Sequence, residues 1–170
     1  IYKDFHFLKD RIFNFNDLKK LSKEVNELER KITLFHAKII KELSINNEKI
    51  LVGFHGQTIY HNAMEKISRQ LGDGKLLYQL TKRKIIYNFR ENDILNGGEG
   101  APLTPIFHKL IAVQKKIKLP TCILNIGGIS NVTIVGFDEL ISKDIGPGNC
   151  LIDTWVRKNS KKKFDHDGYL

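Results

Sequence analysis

Four short segments between positions 55 and 149 combine glycine with side chains that can exchange protons or hold charge. They are His55-Gly56-Gln57-Thr58, Gly97-Gly98-Glu99-Gly100-Ala101-Pro102-Leu103, Asn125-Ile126-Gly127-Gly128-Ile129-Ser130-Asn131 and Asp144-Ile145-Gly146-Pro147-Gly148-Asn149. Glycine lets backbone amides come close to a ligand and adopt positive φ, and amides gathered at strand ends and helix starts favour anions, phosphates above all. One such segment is weak evidence, because ordinary turns also need glycine. Four of them carrying His, Gln, Glu, Asn and Asp point to a ligand site.

Asp144 gives the sharpest signal. A carboxylate ending an apolar strand, followed by the glycine-framed turn Gly146-Pro147-Gly148-Asn149, can act as a general base toward a hydroxyl or water. The amides of the helix that follows would favour a transferred phosphoryl group; the competing reading is that Asp144 caps the turn. The Gly127-Gly128 pair, flanked by Asn125, Ser130 and Asn131, suits a phosphate cradle and equally an ordinary type I′ hairpin. His55 sits among small and polar residues, which favours an accessible polar site over a core histidine. His61 and His108 lack the spacing of a metal site. Arg90 can grip a carboxylate bidentately or pair with Glu91 and Asp93. Glu99 is the residue with acid–base capacity in the Gly97–Leu103 segment.

Positioning these groups requires alternating helices and strands. Leu18, Leu21, Val25, Leu28, Ile32, Phe35, Ile39 and Leu43 recur at steps of three and four, predicting one amphipathic helix over 18–43. Asn16 is the expected N-cap, and Asn46-Asn47 ends the pattern. Strands are predicted at 50–54, delivering His55, at 76–80, and at 84–87, delivering Asn88-Phe89-Arg90. A helix is predicted over 105–117, with Pro105 tolerated in its first turn. The β-branched runs 122–126 and 132–135 flank Gly127-Gly128 as a hairpin, 140–143 adds a third strand, and 149–158 reads as a helix. The expected boundary lies near Pro120, dividing residues 1–119 from 120–170.

The totals narrow the classes. With 170 residues, 41% of them hydrophobic, the chain can bury a core and is not disordered. Its net charge of +9 (28 Lys+Arg against 19 Asp+Glu) fits an anionic partner or simply a Lys-, Ile- and Asn-rich composition. The lysines are spread along the chain, and clustered arginines and aromatics are lacking, so a nucleic-acid-binding module is disfavoured. Cys122 and Cys150 lie in apolar settings without metal spacing and read as reduced core cysteines, hence a cytoplasmic protein. No apolar run approaches the length of about 18 residues needed to span a membrane. The chain opens on Ile1-Tyr2-Lys3-Asp4 and stops at Asp167-Gly168-Tyr169-Leu170, so it is expected to be cut at both ends.

Together the segments resemble the anhydro-N-acetylmuramic acid kinase family. The resemblance rests on Val52 to His61, Asn88-Phe89-Arg90 through Asp93, Gly97 to Pro105, Asn125 to Thr133 and Asp144 to Asp153, in the family's order. It implies an α/β fold of the actin, hexokinase and Hsp70-like ATPase type (ribonuclease H-like), present in part: some of the first lobe within 1–119 and the opening hairpin of the second within 120–170. It also implies an ATP-dependent reaction. Water attacks C1 of 1,6-anhydro-N-acetylmuramic acid, the anhydro bridge opens, and O6 takes the γ-phosphoryl group to give N-acetylmuramic acid 6-phosphate.

In that resemblance Asp144 is the general base. His55, Gln57, Thr58, Arg90, Glu99, Gly146 and Asn149 line the sugar side, with Arg90 toward the lactyl carboxylate. Asn125, Gly127, Gly128, Ser130 and Asn131 belong to the second phosphate-binding turn. ATP with Mg²⁺ is the implied cofactor, a bacterial cytoplasm recycling cell-wall fragments the implied setting, and a homodimer of the full-length protein is compatible with it. The sequence departs from the family pattern where Asn88 replaces Asp, Ile145 replaces Thr and Glu99 replaces Gln. It also lacks the Gly-x-Met-Ser-Gly-Thr-Ser-type first phosphate loop and the C-terminal Gly-Gly-Gly adenosine segment. The expectation is therefore the middle of such a kinase, inactive by itself; the alternative is a non-catalytic sugar-binding pseudo-kinase or sensor.

Overall fold

The computed structural model describes residues 1–43 and 50–169, which divide into two compact units, Ile1–Ala101 and Pro102–Leu170. This division precedes the boundary expected at Pro120, because the helix before that proline packs on the strands after it.

In the first unit, α1 (Tyr2–Lys9), α2 (Phe15–Lys20) and α3 (Ser22–Leu43) are followed by β1 (Leu51–Phe54), β2 (Gln57–Asn62), β3 (Ile67–Leu71), α4 (Gly74–Thr81), β4 (Lys84–Tyr87) and α5 (Phe89–Leu95). The single helix expected over 18–43 is broken at Leu21. Asn14, not Asn16, is the N-cap: its side chain accepts the Asp17 amide at 3.1 Å, while the Asp17 carboxylate accepts the Phe13 amide at 3.2 Å. Asn46 and Asn47 lie outside the described residues. Along α3 the inward face is Val25, Leu28, Ile32, Thr33 and Ala37, whereas Phe35, Ile39 and Leu43 are exposed. A 3.6-residue period carries the stripe from Ile32 toward Ala37 and Ile40 rather than Phe35 and Ile39.

One core cluster joins Phe5, Leu8, Leu18, Val25, Leu28 and Ile32 to Ile59 and Leu71 of the β2–β3 hairpin. A second joins Ala37, Phe54 and Leu77. The run 76–80, expected as a strand, is helical. Asp73 caps α4 by accepting the Leu76 amide at 2.9 Å, and Leu77 is completely buried. The Leu76, Leu77 and Leu80 spacing fits a helix better than an alternating strand. Thr33 Oγ1 accepts the Asp73 amide at 3.0 Å, tying α3 to the start of α4.

β1 and β4 pair in parallel with Phe54 opposite Tyr87, so the residues after each strand emerge at one end. β2 and β3 form an antiparallel hairpin with a bulge at Ile59.

In the second unit, α6 (Thr104–Gln114) packs on an antiparallel sheet of β5 (Thr121–Ile126), β6 (Ile129–Val135) and β7 (Leu140–Pro147), followed by α7 (Asn149–Asn159). β7 runs four residues beyond the expected Lys143 and includes Asp144, Ile145, Gly146 and Pro147. His108 of α6 bonds through Nδ1 to Thr133 Oγ1 at 2.8 Å, and Thr133 is completely buried. Cys122 is exposed and Cys150 half-buried, both free, so neither belongs to the core as expected. No described helix is long and apolar enough to cross a membrane.

Candidate functional site

The parallel pairing of β1 with β4 brings His55 and Arg90 together. His55 follows Phe54, and Arg90 lies in the first turn of the helix that begins just after Tyr87. Arg90 Nη2 lies 3.4 Å from His55 Nε2, and His55 Nδ1 lies 3.0 Å from the Gly56 carbonyl. The carbonyl only accepts, so Nδ1 donates in that bond and Nε2 is left to accept from the guanidinium. Neither Glu91 nor Asp93 pairs with Arg90. Glu91 accepts from Asn88 Nδ2, and Asp93 accepts the Gly100 amide at 2.7 Å, folding the 97–100 segment back on α5. Burial pushes the Arg90 pKa down from its ordinary value. A half-buried guanidinium with no carboxylate at ion-pair distance among the described residues is a site for an anion from outside the chain.

The hairpin beside it carries a polar relay absent from the sequence expectations. Ser68 Oγ donates to Gln70 Oε1 at 3.3 Å and accepts from His61 Nδ1 at 3.0 Å, and Gln70 Nε2 donates to Thr58 Oγ1 at 2.8 Å. The register sets Thr58 opposite Gln70 and His61 opposite Ser68. Burial, with the Arg90 charge adding to it and Glu99 opposing, holds the His61 pKa below its ordinary value. Ser68 and Gln70 line the same cavity as His55 and were not among the residues expected from sequence. The signal in the sequence was the alternation of hydrogen-bonding side chains at 68 and 70.

The structure separates His55 and Gln57, two positions apart in sequence. His55 lines a cavity of about 330 Å³ with Phe54, Ser68, Gln70, Tyr87 and Asn88. Gln57 lines another with Tyr2, Phe5, Phe35 and His36.

In the second unit the site is built from strand register. Asn125 pairs with Asn131, and Asn131 pairs with Asp144, so two amides and a carboxylate lie in a row across three strands on one face. Ser130 pairs with Gly146, leaving Ile145 as the extra residue of a bulge. Such bulges re-aim neighbouring side chains; Asp144 is exposed beside this one.

The expected type I′ turn is not formed. Neither Gly127 nor Gly128 has positive φ, and Ile126 faces Ser130 across a longer loop. A Cβ on Gly128 would meet nothing within 4 Å. The chain's own packing does not demand glycine there, and the outer side of the turn is left clear. Gly148 is the opposite case, since a Cβ would lie 2.3 Å from the Gly127 carbonyl oxygen.

The expected use of the α7 amides for phosphate is not what the structure shows. The Gly148 amide donates to the Gly128 carbonyl at 2.9 Å, and the Asn149 amide to the Gly127 carbonyl at 2.7 Å. Asn149 Nδ2 donates to the Ile126 carbonyl at 3.2 Å, and the buried Ser130 hydroxyl donates to the Pro147 carbonyl at 3.3 Å. Both side chains are turned to the protein. Among the described residues no three His, Cys, Asp or Glu side chains cluster as a metal site.

A mixed α/β chain with glycine turns and an exposed aspartate at a bulged strand end has the make-up of an ATPase lobe of the actin and hexokinase type. The family model for anhydro-N-acetylmuramic acid kinase matches residues 6–170. A protein of that name from Pelagibacter ubique is 57% identical over 99% of this chain and 46% of its own length. Those from Agrobacterium fabrum and Brucella canis are 39% and 41% identical, each over 85% of this chain and 41% of their own. The chain belongs to the anhydro-N-acetylmuramic acid kinase family, and it spans about half the length of the curated relatives it matches.

Proposed function

We propose that the chain supplies sugar-side and phosphate-side elements of an ATP-dependent kinase that opens 1,6-anhydro-N-acetylmuramic acid and phosphorylates O6, in the recycling of cell-wall fragments in a bacterial cytoplasm. The observation that carries this reading is Asp144, exposed in a polar row with Asn131 and Asn125 at the strand end that leads to the glycine turn. Asp144 takes a proton from water as its oxygen bonds to C1 and the C1–O6 bond breaks. The released O6 accepts the γ-phosphoryl group, and ADP leaves.

Arg90 and His55 are assigned to the sugar side, where a guanidinium bonded to His55 but without a carboxylate partner suits a lactyl carboxylate. The open face of Gly127-Gly128 fits a phosphate chain, whose approach a Cβ would obstruct. Mg²⁺ accompanying the nucleotide would neutralise phosphate charge and would be held mainly through the phosphates with few protein ligands. In this reading Thr58, bonded to Gln70, shapes the hairpin, while Gln57 and Ser130 have no direct ligand role.

The test is to incubate the intact protein with anhydro-sugar and ATP and to follow sugar 6-phosphate and ADP. Stoichiometric formation of both is expected from the intact protein, and none from residues 1–170 alone. Binding of the anhydro-sugar without turnover by the intact protein would favour a sensor instead, the reading to which Asn88 and Ile145 lend weight.

A further inference from the structure

Asn149 stands at the first position of α7, where a helix-start residue would ordinarily be free to face a ligand. Here it is bound to the β5–β6 turn twice. Its amide donates to the Gly127 carbonyl at 2.7 Å and its side chain to the Ile126 carbonyl at 3.2 Å. Three neighbouring bonds reinforce the join: the Gly148 and Cys150 amides to the Gly128 carbonyl, at 2.9 and 3.4 Å, and the Ser130 hydroxyl to the Pro147 carbonyl, at 3.3 Å. The glycine at 148 makes the approach possible, since any Cβ would strike the Gly127 carbonyl.

We propose that Asn149 is a positioning residue that fixes the Gly127–Gly128 turn in register with Asp144, rather than a residue that touches the sugar. The inference rests on the nucleotide role proposed for that turn. Two connections link the turn to Asp144. One is the β6–β7 ladder, interrupted by the bulge at Ile145. The other is the α7 start, where Asn149 lies five residues beyond Asp144 and is bonded directly to the turn. The second does not depend on β6–β7 pairing, so the turn's carbonyls are held even where the ladder is irregular. Because the α7 amides are spent on those carbonyls, anion binding falls to the turn's outer side, and its placement depends on the staple.

Asn149→Ala removes the side-chain donor and leaves the Ile126 carbonyl without it. Asn149→Asp keeps the shape but offers no donor to that carbonyl. In the intact protein both variants should raise KM for ATP roughly tenfold, as expected for a lost positioning hydrogen bond. KM for the anhydro-sugar should stay within about twofold, the scatter such comparisons carry. Hydrogen exchange at residues 127–129 should accelerate in both variants, while the melting midpoint changes little. A rise confined to the sugar KM would overturn the proposal in favour of direct sugar contact. Wild-type behaviour of Asn149→Asp, or equal rises in both KM values with a large fall in melting midpoint, would overturn it too. The exchange measurement needs no turnover. If the intact protein proves not to be a kinase, unchanged exchange in the variants still refutes the staple, and accelerated exchange supports it.

Discussion

In residues 1–101 the polar groups of the candidate site stand on packed elements, with His55 leaving a strand whose Phe54 belongs to a core cluster and the His61–Ser68–Gln70–Thr58 relay lying on a hairpin anchored by Ile59 and Leu71. In residues 102–170 the core is thin. Ala112, Thr133, Val135 and Val156 are buried, but Phe107, Leu110, Leu124, Ile126 and Trp155 are exposed. There the site is made by backbone register: a bulge, a cross-strand row and a glycine turn stapled to a helix. Side-chain chemistry in the first unit rests on burial. In the second it rests on hydrogen bonds between main-chain segments, which need no large core but are sensitive to any residue that shifts the register.

The largest expected effect lies in the second unit. Asp144→Asn in the intact protein should lower turnover about a thousandfold, the range for a lost general base, with binding of the anhydro-sugar retained. Equal loss of binding would assign Asp144 to holding the β6–β7 register and remove the chemical half of the contrast.

Core truncation probes the other half. Leu77 is completely buried and Leu124 is 53% exposed. In the 170-residue chain Leu77→Ala should cost about 2–5 kcal/mol in denaturant unfolding, and Leu124→Ala no more than about 0.5 kcal/mol. Comparable losses would mean that the two units are equally packed. A smaller effect is expected at Glu29, whose carboxylate takes both Arg69 Nη atoms at 2.8 Å and the Gly72 amide at 3.0 Å. Glu29→Gln leaves that guanidinium without its carboxylate and should destabilise by about 1–3 kcal/mol, read as an earlier unfolding midpoint.

These contrasts follow what the amino-acid order made legible. β1, β4 and β5 are short apolar runs, and their ends were readable, as were the residues they deliver, His55 and Asn88 to Arg90. The meeting of His55 with Arg90 was not, because it depends on parallel register across a long connection. The β2–β3 hairpin leaves no clear mark in the sequence because its bulge at Ile59 sets Ile59 and Tyr60 side by side, both buried, and breaks the alternation that marks a strand. The same device hid the end of β7, where Ile145, Gly146 and Pro147 have the look of a turn while the backbone remains paired. The α4 segment differs from its expected strand for another reason: a short leucine-rich run suits either period, and the deciding feature is the capping Asp73. The role of Asn149 was hidden in its partner, since a main-chain carbonyl leaves no mark in sequence.

The smallest effect sharpens the first unit's side of the comparison. His61 is held below its ordinary pKa of 6.5 mainly by burial, with the Arg90 charge adding to it. Above about pH 6.5 the imidazole is neutral in both folded and unfolded chains and the shift contributes nothing to pH dependence. As pH falls below that value the unfolded chain binds the proton first, so stability declines through the depressed folded pKa and then levels off. Asn at this position does not titrate, and the other five of the six histidines remain in both proteins. The melting midpoint of wild type relative to His61→Asn should therefore be lower at about pH 5 than at about pH 7.5. A relative midpoint that stays flat, or moves the other way, would mean that protonated His61 is accommodated beside Arg90, as a solvent-open histidine would be. In the second unit, His108 offers the matching control: it bonds to buried Thr133, so His108→Asn should leave the pH dependence assigned to His61 in place.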